Sequence, residues 1–440
     1  MFRTIRNAFK IKEIRKRLFF TFLMLIVVRI GSQLPVPGVS ENAFNQLFGN
    51  VGDSLNFFNA ITGGSFERMS VFALSITPYI TSSIIIQLLT ISFPKLEEMQ
   101  RDGEDGRKKL NRITRYVTIG LSVMEAVALA VGFGRSGYLS HFTFWYVLML
   151  VAALTAGASA LMWIGEEITR KGVGNGISIV LVINIVSRLP QDVTTLFNQF
   201  IKGQTIARGI LIGVIIAAII IGIVVLVVIL QCAERRIPVQ YSRKLASNGR
   251  NSYSGANSSF IPLKVNTGGV IPVIFAQSLM QTPVIIAALA GKSSGKGVGY
   301  TILNMLSESH WFTPSNWFYT IGAAVYVLLL IAFAYFYTSI TFNPLEIADN
   351  MKKSGGFVPG IRPGKPTSDY LQSVLNSVIF IGAIGLTIVS LIPIILNGLT
   401  SANVSFGGTS IIIVVGVVVE TLKQIEGAMM VRNYKGFLSD

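Results

Sequence analysis

Long apolar runs separated by short polar or basic stretches set the pattern of this chain. Eight runs, residues 18–34, 71–93, 116–133, 144–164, 210–230, 269–290, 317–340 and 371–396, are long enough to cross a bilayer as helices, a task that takes about 17–25 residues. Two more, 177–189 and 410–419, are shorter and need their polar flanks to complete a crossing. The pattern predicts ten spans with both ends of the chain on the same side. Five lie before the outer loop 191–207 and five after it. An odd number per half makes the second half enter the membrane upside down relative to the first, and inverted halves usually put the functional path at their interface near the midplane. The expected fold is an all-α polytopic membrane protein, ten transmembrane helices in two inverted halves of five. Its parts are an N-terminal half 1–190, an external hinge loop 191–207 and a C-terminal half 208–440.

The stretch 55–94 departs from this pattern. Its first part carries Gly63, Gly64, Glu67 and Arg68 among apolar residues, is too short and too polar to span, and runs straight into the apolar run 71–93. Irregular backbone at membrane depth is tolerated only where protein buries it or where it lines a watery cavity. A re-entrant segment here therefore implies a cavity in the middle of the molecule. Ile76 and Ile80, four apart and so on one helical face, would stand in its wall, with Pro78 between them and Thr81, Ser82 and Ser83 following. A buried helix whose proline kink is repaired by its neighbours fits the same stretch equally well.

Composition settles the class. The chain is 51% hydrophobic and only 13% charged, with a mean hydropathy of +0.60, which is the usage of an integral membrane protein rather than a soluble domain. Cys232 is the one cysteine, so neither a disulfide framework nor a thiolate metal site is expected, and His141 and His310 lie far apart. The glycine-rich GVGNG at 172–176 lacks the GK[ST] of a phosphate loop. No nucleophile, base and metal come together in the sequence, so no enzyme, cofactor or metal is expected. The basic start, MFRTIRNAFKIKEIRKR, lacks a small-residue cleavage site and reads as retained.

Charge gives the orientation. Lysine and arginine gather in 1–17, 95–115, 170–171, 235–264, 352–365 and 423–435, all on one side of a ten-span topology. The positive-inside rule makes that side, and both termini, cytosolic. Two of these segments, about 234–266 and 341–368, are long, basic and rich in turn residues, as docking posts for a large partner would be. Arg362, framed by Pro359, Gly360, Pro363 and Gly364, would be presented on a rigid turn.

Seven motifs spread along the chain in order carry a resemblance to a known family. They are RIGSQLPVPG at 29–38, FALSITPYITSSIIIQLL at 72–89, GEDGRKK at 103–109, GNGISI at 174–179, PLKVNTGGVIPVIFA at 262–276, NPLEIADNMKKSGGFVPGIRPG at 343–364 and FGGTSIIIVVGV at 406–417. The chain resembles the SecY family, the channel subunits of the Sec protein-conducting translocon, and FVPGIRPG points to the bacterial form.

The resemblance implies an hourglass of ten helices whose waist is closed by a ring of aliphatic side chains: Ile76, Ile80, Ile177, Leu181, Ile274 and Ile413. Such a constriction stays dry against ions and offers a passing chain nothing to bind. A re-entrant plug over 56–68, with Asn56, Phe57, Phe58, Ile61, Gly63, Gly64 and Arg68, would seal the outer funnel, its glycines suiting a mobile, loosely packed segment. Thr81, Glu125 and Asn266 match the polar cluster of a lateral gate that releases membrane segments to lipid. Arg235, Arg236, Arg243, Lys244 and Arg362 match the contacts with a motor or ribosome, although the loop after Lys244 is richer in Ser and Asn than the family pattern. The implied partners are SecE, SecG, the SecA motor ATPase, the ribosome, signal sequences with the translocating polypeptide, and the lipid bilayer; the implied location is the bacterial plasma membrane. An accessory paralogue of the channel dedicated to few substrates fits the same motifs. A secondary transporter also fits inverted halves, but would need converging polar groups where the matched waist is aliphatic.

Overall fold

The computed structural model describes residues 6, 8–37, 59, 62–135, 142–202, 206–241, 259–289, 298–313, 317–400 and 409–435. Helices dominate them. In chain order these are α1 (Lys12–Gly31), α2 (Thr77–Ser92), α3 (Pro94–Arg101), α4 (Gly103–Arg135), α5 (Phe144–Lys171), α6 (Gly176–Leu196) and α7 (Ile206–Cys232). They continue as α8 (Ile271–Leu289), α9 (Val298–Leu306), α10 (Ile321–Thr341), α11 (Pro344–Lys353), α12 (Lys365–Thr400) and α13 (Thr409–Lys435). Each of the ten apolar runs falls on a helix of its own, leaving α3, α9 and α11 as short helices between them. By length and composition, six helices among the described residues can cross a membrane unaided, namely α4, α5, α6, α7, α10 and α12.

The helix after the plug stretch is a seventh only when joined to its neighbour. The 16 residues of α2, at about 1.5 Å each, rise about 24 Å, short of a hydrocarbon core of about 30 Å. The chain then turns through 107° at Phe93 into α3. Pro78 lies in the first turn of α2, where its missing N–H costs nothing. The proline kink allowed by the sequence is therefore absent, because the helix starts at the proline instead of running through it. Ile76 stands just outside the helix at its N-cap, and its carbonyl accepts from Ile80 N–H at 3.1 Å.

One further expectation is corrected. The hinge loop 191–207 is mostly helical: α6 runs through Pro190 to Leu196 and continues as a π-helix over Phe197–Ile201. Polar residues mark where this helix leaves the apolar zone, and a helix continues past that boundary as long as its backbone bonds are made. The fold is all-helical in class, with one small sheet set between the helices. β1 (Glu234–Tyr241) pairs antiparallel with β2 (Ser259–Lys264) and with β3 (Gly356–Phe357), giving the order β2-β1-β3. The first two strands belong to one of the long basic loops and the third to the other, so the two posts share one sheet. Ile237, Val239 and Leu263 bury its inner face against Met351, Val358 and Leu371.

One extended apolar core runs through the molecule, contributed by α1, α2, α5, α6, α7, α8, α10, α12 and α13. A second core packs α4 and α5 around Val36, Phe66, Met69, Ala73 and Leu74. Glycines let α5 approach its neighbours: a Cβ on Gly157 would lie 1.9 Å from the Val71 carbonyl oxygen, and one on Gly176 of α6 would lie 2.0 Å from that of Gly165.

Candidate functional site

The six residues expected at the waist all belong to the extended apolar core or pack against it. Ile76, Leu181 and Ile413 are at most 3% exposed within the extended core, and Ile80, Ile177 and Ile274 are partly buried against the same cluster. Each arrives by a local device. Asn175 caps α6, its side-chain oxygen accepting from Ile177 N–H at 3.1 Å and Ser178 N–H at 3.5 Å, which fixes Ile177 and Leu181 one turn apart. Ile274 lies one turn inside α8, its N–H donating to Val270 O at 3.2 Å, and Ile413 lies one turn inside α13. A cavity of about 650 Å³ opens between α2, α4, α5 and the start of α6, lined by Tyr79, Asn111, Arg115, Glu166 and Asn175, and reaches Ile177. Arg115 and Glu166 form an ion pair of 2.7 Å across its wall.

The segment before α2 is packed, not loose. Thr62 and Phe66 are fully buried, and Asn59, Ser65 and Met69 are 1% exposed. Phe66 leans on Phe133 of α4 with ring centroids 6.4 Å apart. The chain after α1 pairs with the end of the segment, Val36 N–H donating to Met69 O and Val71 N–H to Leu34 O, both at 2.9 Å. Gly63 and Gly64 serve a turn rather than looseness, with φ of +66° and +79°. Arg68 is exposed and donates to the Gln33 side chain. Asn56, Phe57, Phe58 and Ile61 lie outside the described residues.

Of the gate residues, Thr81 on α2 and Glu125 on α4 are partly buried, and Asn266 is 6% exposed. α8 packs against both α2 and α4. Asn266 does not cap α8: its Nδ2 donates to Gly269 O at 2.8 Å, closing the turn that precedes the helix. A polar link that does join α2 to α4 is the bond of 2.5 Å between the buried hydroxyls of Ser82 and Thr118.

The docking candidates stand on one surface element. Arg235, Arg236 and Arg362 are exposed. Arg236 pairs with Glu234 at 2.8 Å and lies 4.8 Å over the Phe260 ring of the neighbouring strand. Arg362 sits between Gly360 and Gly364, at φ of +82° and +100°, and its carbonyl accepts from Thr367 Oγ1 at 2.8 Å. Arg243 and Lys244 lie outside the described residues.

The sequence reading passed over Asn184 and Arg188 of α6, which reach the segment before α2. Their signal was available: positions 177, 181, 184 and 188 are spaced by four, three and four, one helical face.

Comparison with known proteins gives the family and the fold. The SecY family model matches residues 70–422. A protein translocase subunit SecY of Halalkalibacterium halodurans is 41% identical over 445 residues, covering 100% of both chains. Solved structures share the fold: one described as a protein conducting channel has a TM-score of 0.65 at 20% identity, covering 93% of this chain and 91% of its own. Sec61 in a canine ribosome-channel complex has a TM-score of 0.61 at 19% identity, with the same coverage. The family model spans most of the chain and the relative all of it, and on these matches the chain belongs to the SecY family.

Proposed function

We propose that the chain is the channel-forming subunit of a bacterial protein translocase, moving unfolded polypeptides across the plasma membrane and releasing apolar segments sideways into lipid. The observation that carries this reading is the single cluster holding Ile76, Ile80, Ile177, Leu181, Ile274 and Ile413, drawn from helices of both halves of the chain. An aliphatic constriction resists ions by staying dry and gives an extended chain no partner to stick to. A binding site for a small polar solute would need converging polar groups at that depth.

Ten spans in two inverted halves, with both termini cytosolic, follow from the ten apolar runs and the one-sided lysines and arginines. Segment 56–68 acts as the plug above the waist. α2 and α4 meet α8 along the lateral gate, with Thr81, Glu125 and Asn266 in its polar seam; a partly buried carboxyl within a span is functional by default. The sheet that joins the two basic loops supports a shared docking face for SecA or the ribosome, with Arg235, Arg236, Arg243, Lys244 and Arg362 as its charges. SecE and SecG complete the complex. A single-chain assignment as an accessory paralogue differs from this only in substrate range.

Ion conductance in a planar bilayer tests the reading. The wild type is expected to be silent, while Ile274→Asn and a deletion of 56–68 both leak. If both variants stay as tight as the wild type, the waist is misplaced and a transporter assignment returns, to be pursued by a substrate screen.

A further inference from the structure

One face of α6 carries Ile177, Leu181, Asn184 and Arg188, at intervals of four, three and four residues. The first two belong to the apolar core at the waist and the last two contact the segment before α2. We propose that Asn184 and Arg188 are positioning residues that anchor the plug, so that one rigid helix carries part of the ring and holds the seal in register with it. This rests on the reading of 56–68 as the plug.

Four observations converge on the anchor. Arg188 is only 8% exposed, and a guanidinium that deep needs a charged partner. Its partner is Glu67, with Arg188 Nη1 3.4 Å from Glu67 Oε2. Glu67 is itself held inside the segment: Asn59 Nδ2 donates to its Oε2 at 2.8 Å, and its own N–H donates to Asn59 Oδ1 at 3.3 Å. Arg188 therefore grips a carboxylate that cannot swing away on its own.

The second contact holds the link that follows the plug: Asn184, 3% exposed, donates from its Nδ2 to Ser75 Oγ at 3.3 Å, just before α2. Ser75 has φ of +52° and Met69 of +41°, left-handed conformations in residues that carry a side chain. Such backbone persists only where its surroundings over-determine it. The third is Gly63: a Cβ there would fall 2.9 Å from both the Cα and the carbonyl oxygen of Asn184, so the two backbones touch directly. The fourth is the opposite side of the segment, where Phe66, Met69 and Leu74 pack on α4 and α5. Apolar packing is non-directional; the contacts with α6 supply direction and register.

A rigid helix turns this into coupling. From Ile177 to Arg188 the axis rises about 16 Å, so a chain that pushes the ring residues of α6 aside also moves both anchor groups. The plug is released when the waist opens, not before.

The test uses the full chain, purified with the subunits that accompany it, in a planar bilayer. Arg188→Gln and Glu67→Gln are each expected to raise the open probability of the idle channel by about tenfold, the scale of one lost charge-assisted contact, and Asn184→Ala, which removes a neutral bond to the link, by about threefold. The exchange Glu67→Arg with Arg188→Glu is expected to bring it back toward the wild type. Melting curves confirm that each variant is folded. If folded single variants are as silent as the wild type, or the exchange leaks as much as they do, the anchor is overturned. A deletion of 56–68 run alongside separates the two readings. If it leaks while the point variants stay tight, the plug stands without this anchor; if it too stays tight, both fall.

Discussion

Glu308 shows how a single buried group sets a pH dependence. It lies in the 3-10 turn Glu308–His310 between α9 and α10, where Gln277 of α8 donates to its carboxylate. Burial pushes the carboxyl up from its ordinary 4.5 to about 7. Between those values the native chain holds a proton that the unfolded chain has released, so stability falls as pH rises. The contribution is fully present below about 4.5 and is lost as pH rises through about 7. Between about pH 5 and pH 8 the wild type should lose on the order of 1–2 kcal/mol relative to Glu308→Gln; melting curves of both in detergent across that range measure it. Parallel curves would mean that Glu308 does not titrate with folding. At this scale the sequence made burial legible. Ile76, Ile80, Ile177, Leu181, Ile274 and Ile413 all fall in or against the extended apolar core, because an apolar residue at helical spacing has one natural destination. Arg188 was passed over; its ion pair depends on Glu67, which is far away in sequence and comes near through the turns at Gly63 and Gly64.

Among elements, the close approach of α5 to the segment before α2 is open to perturbation. Gly157 lets the Val71 carbonyl sit where a side chain would otherwise stand. Gly157→Ala should therefore destabilise the protein by about 1–3 kcal/mol through overpacking, seen as a lower melting midpoint. Gly120 of α4, with nothing near its Cβ position, is the control, and Gly120→Ala should not destabilise. Helices announced themselves through long apolar runs, whereas strands did not. β1 and β2 do alternate, with Ile237, Val239 and Leu263 inward, but Pro238 and Pro262 lie in their middles, and proline argues against a strand unless the strand lies at an edge. The pairing register offsets the two prolines, Pro238 opposite Phe260 and Pro262 opposite Arg236, and the ladder accommodates both. The extension of α6 into a π-helix was likewise hidden, since hydropathy reports where a bilayer ends and not where a helix does.

For the whole molecule, orientation and docking are the properties to test together. Arg362→Glu should stall motor-driven transport of a secretory protein into vesicles by at least about tenfold while leaving the idle channel silent and the melting midpoint unchanged, because the residue is exposed and its loss removes surface charge, not packing. Normal transport by that variant would sink the docking assignment. The helical class was readable from end to end, each apolar run falling on a helix of its own. Contacts between distant segments were not, since they depend on turns that composition does not encode.

The pairing of β3 with β1, Gln240 opposite Phe357 and Tyr241 opposite Gly356, gives the two long loops a mechanical property. They are not independent tethers but one handle: β1 leaves α7, β2 leads toward α8, and β3 sits between α11 and α12. A force on either loop delivers torque to the same group of helices, α8 included.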